Sequence, residues 1–106
     1  MALVVLGDML ELGHDEQELH RQLGRQAAQV ADRLYLMGHL TAETAVGAES
    51  AGLAPERIVR SSNHAEIAAD LIRLREPGDL ILIKGSRGMQ MEKVAAALRA
   101  ADRQEG

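Results

Sequence analysis

Leu80-Ile81-Leu82-Ile83 is an unbroken apolar run that stops on Lys84-Gly85-Ser86-Arg87-Gly88, and this stretch most limits the folds open to the chain. The run is long enough for a buried strand and too short for a helix. A strand apolar on both sides is expected to be covered on both faces, the habit of a parallel sheet. Helical spacing resumes from Met89 to Ala100, with Met91, Val94, Ala95 and Leu98 turned inward. The segment therefore reads as strand, tight loop, helix. Such a corner directs backbone N–H groups, a helix N-terminus and the side chains of Lys84 and Arg87 to one point in space. That is chemistry for an anion or a carboxylate.

A second corner of the same kind stands near the start. Leu3-Val4-Val5-Leu6 is also wholly apolar and runs into Gly7-Asp8-Met9-Leu10-Glu11-Leu12-Gly13. The strand begins with no lead-in after Met1 and Ala2, so the chain is expected to be a piece of a longer protein. Asp15 with Glu18 makes a capping-box pattern, and Leu19, Leu23, Ala27 and Val30 mark the inner face of a first helix over 16–31. Gly24 within it costs about 1 kcal/mol relative to Ala, an expense that close packing on the sheet would offset. Arg33 to Met37 is a second strand. Thr41 caps a second helix over 42–51, which is rich in Ala and ends at Gly52, a residue suited to a left-handed C-cap. Arg57 to Arg60 is a short third strand. Asn63 with Glu66 opens a third helix with Ala68, Leu71 and Ile72 inside, and Pro77-Gly78 ends it.

The order β-α-β-α-β-α-β-α specifies an α/β fold, a Rossmann-like three-layer α/β/α arrangement with an open, mainly parallel four-stranded sheet and right-handed crossovers. Strands one and four, wholly apolar, are expected toward the middle, and strands two and three, carrying charge, nearer an edge. A 3-2-1-4 order puts the chain reversal between strands one and four, where open α/β sheets bind ligands beyond the strand carboxyl ends. The two corners would then face each other. One domain is expected over 1–101, with 102–106 a frayed polar tail.

Composition removes several classes of function. The 106 residues carry a formal net charge of −4, one Tyr and no Phe, Trp or Cys. An acidic chain without aromatic platforms is not a general nucleic-acid binder. No disulfide framework or cysteine zinc site is possible. No apolar run approaches a membrane span and no signal peptide is evident, so the default location is the cytoplasm. Neither a Gly-x-x-x-x-Gly-Lys-Ser/Thr loop nor a Gly-x-Gly-x-x-Gly turn occurs, so the usual nucleotide cradles are absent.

Lys84, Gly85, Ser86 and Arg87 are the candidates for holding a carboxylate or phosphate, Arg87 with a two-pronged bond and Lys84 as a point charge. Gly85 and Gly88 allow close backbone approach. A solvated strand-to-helix turn is the structural alternative. Asp8 and Glu11 are candidates for an ammonium group or magnesium, against the alternative of an exposed acidic loop. His14 and His20 are not at the i, i+4 spacing of a helical metal pair, and His20 is expected on a helix face with a hydrogen bond. His39 and His64 read as loop and first-turn residues, and no metal site is expected.

The Val5–Gly13 segment, His20 and Gly24, the Leu82–Arg87 segment, and Met91-Glu92 together resemble the C-terminal domain of the Mur ligases, and within that family the D-alanyl-D-alanine-adding branch. The likeness covers nearly the whole chain. It implies an ATP-dependent amide ligase of peptidoglycan-precursor synthesis, with D-Ala-D-Ala and UDP-MurNAc-tripeptide as substrates. It implies ATP and Mg2+ held mainly by a central domain absent here. This domain would close over the site, with Asp8, Glu11, Lys84, Gly85, Ser86 and Arg87 on its inner face and Gly7, Gly13, His20 and Gly88 in support. Family members carry an Asp-x-Tyr-Asn-Ala-Asn-Pro-like strand and helix before this domain's first motif. Its absence here leaves the sheet short of one strand, beside strand four or between four and one, and an uncovered edge favours self-association. The alternative is a stand-alone, non-catalytic α/β binding module. A receiver-like version would need an Asp after strand three, where this chain has Arg60-Ser61-Ser62.

Overall fold

β1 (Ala2–Gly7) is the strand on which the other elements are laid, and Leu3 to Leu6 are buried on both of its faces. The computed structural model describes residues 1–10 and 13–105. After β1 come α1 (Glu16–Ala28), β2 (Arg33–Met37), α2 (Thr41–Ser50), β3 (Ile58–Arg60), α3 (His64–Leu74), β4 (Leu80–Lys84) and α4 (Glu92–Glu105). The sheet is parallel with order β3-β2-β1-β4, the order expected. Leu3, Val5, Tyr35 and Met37 point to one side and meet Ile67 and Leu71 of α3 and Val94 and Leu98 of α4. Val4, Leu6, Leu34 and Leu36 point to the other, toward Ala27 of α1 and Ala48 of α2. The period of two along each strand separates these two cores.

Within that order, strand character is not what places β2 and β4. β2 lies inside the sheet although it carries Arg33 and Tyr35. Tyr35 is fully buried because its hydroxyl has a partner: it donates to Asp70 at 2.6 Å and accepts from Arg33 Nε at 3.0 Å. Burial pushes the Tyr35 hydroxyl pKa up, and the bond to Asp70 adds to this. At Asp70 burial acts to raise the carboxyl pKa, but the Tyr35 and Arg73 hydrogen bonds and the neighbouring guanidinium charges outweigh it, leaving a value below the ordinary one. A polar strand residue thus becomes compatible with an interior position. β4, apolar from Leu80 to Ile83, is instead an edge strand. Its face toward α1 is bare, with Leu80 64% and Leu82 50% exposed. Four-residue apolarity reports that a strand is sticky, not which neighbours cover it.

Helix boundaries move for local reasons. α1 buries His20, Gly24 and Ala27; of the expected Leu19, Leu23, Ala27 and Val30 face, Ala27 is buried and Leu23 partly so, while Leu19 and Val30 are exposed, so the buried stripe is rotated toward His20 and Gly24. Asp15 makes no side-chain cap. Asn63 does cap α3, accepting from the N–H of Ala65 and Glu66. Glu66 does not return to the Asn63 N–H; it accepts from Ser61 Oγ, and that hydroxyl accepts from the Asn63 N–H at 3.1 Å. α4 begins at Glu92 rather than Met89 and continues through 102–105, with Asp102 paired to Arg75 of the α3 end at 2.8 Å. The expected tail is therefore helix up to Glu105.

The rotation of α1 has a steric origin. α1 and α2 cross with backbone nearly touching backbone: a Cβ on Gly24 would lie 1.9 Å from the Thr44 carbonyl oxygen, and one on Gly47 1.9 Å from that of Arg21. Gly24 is offset by packing on α2, not on the sheet. Gly24→Ala gains about 1 kcal/mol of helix propensity, yet its methyl must push two helices apart, an overpacking cost of about 1–3 kcal/mol or more. The second effect wins because the opposing atom is backbone. Urea denaturation is expected to show Gly24→Ala and Gly47→Ala both less stable than the parent.

Candidate functional site

β1 and β4 are hydrogen-bonded neighbours, so the turns that leave their carboxyl ends leave side by side. The contact is made by backbone and by one serine. The Ser86 N–H donates to the Asp8 carbonyl at 3.0 Å, and the Leu10 N–H donates to Ser86 Oγ at 2.6 Å. Gly7 and Gly85 sit at the two strand ends with Met91 against both. A Cβ on Gly85 would lie 2.7 Å from Met91 Cγ and 3.2 Å from the Gly7 Cα. Gly85 therefore serves approach of the chain to itself. Gly88 is more open, with Leu10 as its neighbour at 3.5 Å from a Cβ.

Two histidines hold these turns from behind. His20, 1% exposed, donates from Nδ1 to the Glu16 carbonyl at 2.6 Å and accepts the Met9 N–H on Nε2 at 3.1 Å. A carbonyl can only accept, so this is the neutral ring with its proton on Nδ1. The expectation of a helix-face histidine with a hydrogen bond fits, and the structure adds that its second partner is the Met9 backbone. His64, the first residue of α3, donates from Nε2 to the Met89 carbonyl at 2.7 Å and so braces the basic turn. Nothing in the linear sequence joins His64 to Met89, which it meets only through the fold. Gln90 completes that turn at φ 51°, in the left-handed region. A non-glycine residue there is strained by roughly 1–3 kcal/mol, and strain of this kind gathers at working loops.

The side chains part company where the backbones meet. Asp8 is 6% exposed, and its Oδ1 accepts the Thr41 N–H at 3.0 Å. Its carboxyl lies so close to Gly38 that a Cβ there would stand 2.4 Å from it, and Gly38 is also at φ +119°. Thr41 is the first residue of α2, so Asp8 supplies the cap expected from Thr41, at the positive end of that helix. The Thr41 hydroxyl instead donates to the Gly38 carbonyl. Asp8 thus faces α2 rather than Lys84 and Arg87. Glu11 lies outside the described residues. Gly13 ends the turn at φ +82°.

Lys84 and Arg87 are both exposed, but they do not share all of their surroundings. Lys84 borders an apolar groove of about 220 Å³ between β4 and α1, with Met9, Leu19 and Leu23 in its wall. It also borders a groove of about 400 Å³ between β4 and α4, where Ser86, Arg87, Met91 and Glu92 stand. The second groove holds the basic turn. Arg87 offers a planar two-pronged donor there, and Ser86 keeps its own O–H while its lone pair serves Leu10. Among the described residues no group of three or more His, Asp or Glu side chains could hold a metal ion. Of the two carboxylates expected to take an ammonium group or magnesium, Asp8 is engaged on α2 and Glu11 is outside the described residues.

The fold and the paired loops define an α/β domain with both turns at the carboxyl edge of a parallel sheet, the edge at which open α/β sheets bind ligands. The family model described as "Mur ligase, glutamate ligase domain" matches residues 2–87, and the chain belongs to that family. It is 34% identical over 97 residues to the UDP-N-acetylmuramoyl-tripeptide–D-alanyl-D-alanine ligase of Bacillus subtilis (strain 168), covering 91% of this chain and 21% of that protein. The crystal structure of MurF ligase from Thermotoga maritima in complex with ADP superposes with a TM-score of 0.79 at 25% identity, over 99% of this chain and 23% of that one. MurF from Acinetobacter baumannii superposes at 0.72 with 30% identity, over 92% and 22%. The chain therefore spans about a fifth of the length of these relatives.

The burial of Asp8 separates a capping role from a ligand role. Asp8→Ala is expected to cost about 1–2 kcal/mol, the ordinary worth of a helix cap, while Asp8→Asn retains most of the stability because the amide oxygen still accepts from Thr41. Thermal melts of the two variants check this; equal melting temperatures for parent and Asp8→Ala would refute the capping role.

Proposed function

We propose that this chain is the C-terminal domain of an ATP-dependent ligase that joins D-Ala-D-Ala to UDP-MurNAc-tripeptide in peptidoglycan-precursor synthesis, in the cytoplasm. The observation that carries the reading is the 34% identity, over 91% of this chain, to a Bacillus subtilis protein named for that reaction. The domain closes over a site whose nucleotide cradle lies elsewhere, since this sequence holds no P-loop. ATP supplies the activation, making an acyl phosphate of the tripeptide carboxylate that the dipeptide amine attacks. Mg2+, like ATP, is held mainly by the domain that carries the cradle.

In this reading Arg87 and Lys84 meet the negative groups that come together during the reaction. Both the dipeptide carboxylate and the phosphates suit them. Arg87 grips two oxygens at once, and Lys84 contributes a compact charge from the strand end. Gly88, more open than Gly85, leaves room for backbone on the basic turn to approach the same groups. Ser86, His20 and His64 position the two turns, with Gly7 and Gly13 allowing their bends, and Asp8 anchors the acidic turn to α2. By itself the chain is proposed to self-associate through the open edge of β4.

Two measurements test the reading. The isolated chain, given ATP, Mg2+, UDP-MurNAc-tripeptide and D-Ala-D-Ala, is expected to release no phosphate; turnover would overturn the assignment of the cradle to another domain. In the intact ligase, Arg87→Ala is expected to raise KM for a substrate by about tenfold, equivalent to 1.4 kcal/mol. Its stability should change by no more than the roughly 0.5 kcal/mol of a surface substitution. A large fall in melting temperature with unchanged kinetics would instead make Arg87 structural.

A further inference from the structure

Five positions among the described residues have a positive φ, and glycine fills four of them: Gly13, Gly38, Gly52 and Gly78. The fifth is Gln90, at φ 51° and ψ 42°. Glycine takes such a conformation at no steric cost. Asn and Asp follow, because a short polar side chain can bond the local backbone. Gln lacks that short reach.

The fold explains the conformation at this position. The Met89 carbonyl is held by His64. The Gln90 N–H donates to the Arg87 carbonyl at 3.1 Å, and the Lys93 N–H donates to the Gln90 carbonyl at 3.0 Å. Met91, next in the chain, is 5% exposed and lies against Gly7 and Gly85. The chain must reverse between these anchors, whatever side chain residue 90 carries. The fold does not explain the glutamine. A glycine makes such a reversal without strain, as it does at the other four positions. The Gln90 side chain is exposed, and its amide forms no hydrogen bond among the described residues. Neither burial nor an internal bond offsets the strain. Strain kept at an exposed residue of a binding turn points to a contact outside the turn.

The chemistry of that contact follows from the neighbours. Gln90 closes the turn that Arg87 opens. The groove of about 400 Å³ at this turn carries both signs of charge, with Lys84, Arg87 and Glu92 on its border. Mixed charge suits a zwitterion better than a chain of phosphates. Arg87 and Lys84 can only donate hydrogen bonds, whereas a primary amide both donates and accepts. A peptide bond does the same, so the two are complementary. In a dipeptide that bond lies next to the terminal carboxylate.

Resting on the function proposed above, we propose that Gln90 is a substrate-binding residue whose amide pairs with the peptide bond of the dipeptide while Arg87 holds its carboxylate. The turn joins the two residues through the Arg87 carbonyl, so carboxylate and peptide bond are read together. A single amino acid offers the carboxylate without the linkage, and Gln90 favours the dipeptide over it.

Two substitutions separate contact from strain. Gln90→Gly removes the amide and the strain; Gln90→Met removes the amide and keeps the length and the strain. In the intact ligase both are expected to raise KM for D-Ala-D-Ala by about three- to tenfold, the range of one or two neutral hydrogen bonds, with KM for ATP unchanged. In thermal melts of the 106-residue chain, Gln90→Gly is expected to raise the melting temperature by about 4 °C or more, and Gln90→Met to leave it near the parent's. Higher stability with poorer use of the dipeptide is a result that a merely structural residue does not give. An unchanged dipeptide KM in both variants, in a ligase that turns over and responds to Arg87→Ala, overturns this contact and leaves the proposed function standing. An intact ligase destabilised by Gln90→Met while the 106-residue chain is not means that another part of the protein holds the amide, which also overturns the contact. A parent without turnover overturns the proposed function and this contact with it.

Discussion

The meeting of Gly7 with Gly85, and of Met91 with both, is the constraint on which the candidate site depends. Two parallel strands end side by side, and neither end carries a side chain at the point of contact. The turns that follow can therefore exchange hydrogen bonds through Ser86 within a few residues of leaving the sheet. A methyl group on Gly85 would have to displace Met91, which belongs to the core beneath α3 and α4. The glycines of a loop next to a binding surface invite the reading that a ligand comes close. Here the closest approach at Gly85 is made by the protein.

The arrangement behind the turns is uneven. The acidic turn is held at Asp8 by α2, at Met9 by His20 and at Leu10 by Ser86. The basic turn is held at Ser86 by Asp8 and at Met89 by His64, while Arg87 and Gly88 are left to solvent. Buried groups with every bond satisfied are stiff, and exposed cations on a stiff base are free to meet a partner without losing backbone entropy. A stiff base under exposed cations is what a domain needs if it is to bring charge to a site assembled mainly by other parts of a longer enzyme.

β4 shows how one residue pattern supports two readings. An apolar run belongs to a strand in either case, but only the number of helices on each face decides how much of it is covered. α1 and α2 lie over β1 and β2, and the same face of β4 is left bare. Burying a leucine is worth about 1.5–3 kcal/mol, and Leu80 and Leu82 leave that apolar surface in water along this edge.

The sequence alone determined the element types, their order and the strand order, because these follow from periodicity, from glycine and proline positions and from the handedness of crossovers. It also determined that two chemically distinct turns end neighbouring strands, and its motifs carried the family likeness. Only the tertiary structure decided where the side chains point. Asp8 carries the same charge whether it faces a ligand or caps α2, and the choice rests on Gly38, thirty residues away, being bare enough to admit it. Gly24 costs the same helix propensity whether it meets a sheet or a helix, and Thr44 decides that. Tyr35 is acceptable inside the sheet only because α3 carries Asp70 to it. These outcomes depend on contacts between residues far apart in the chain, and no local pattern encodes a distance that exists only after folding.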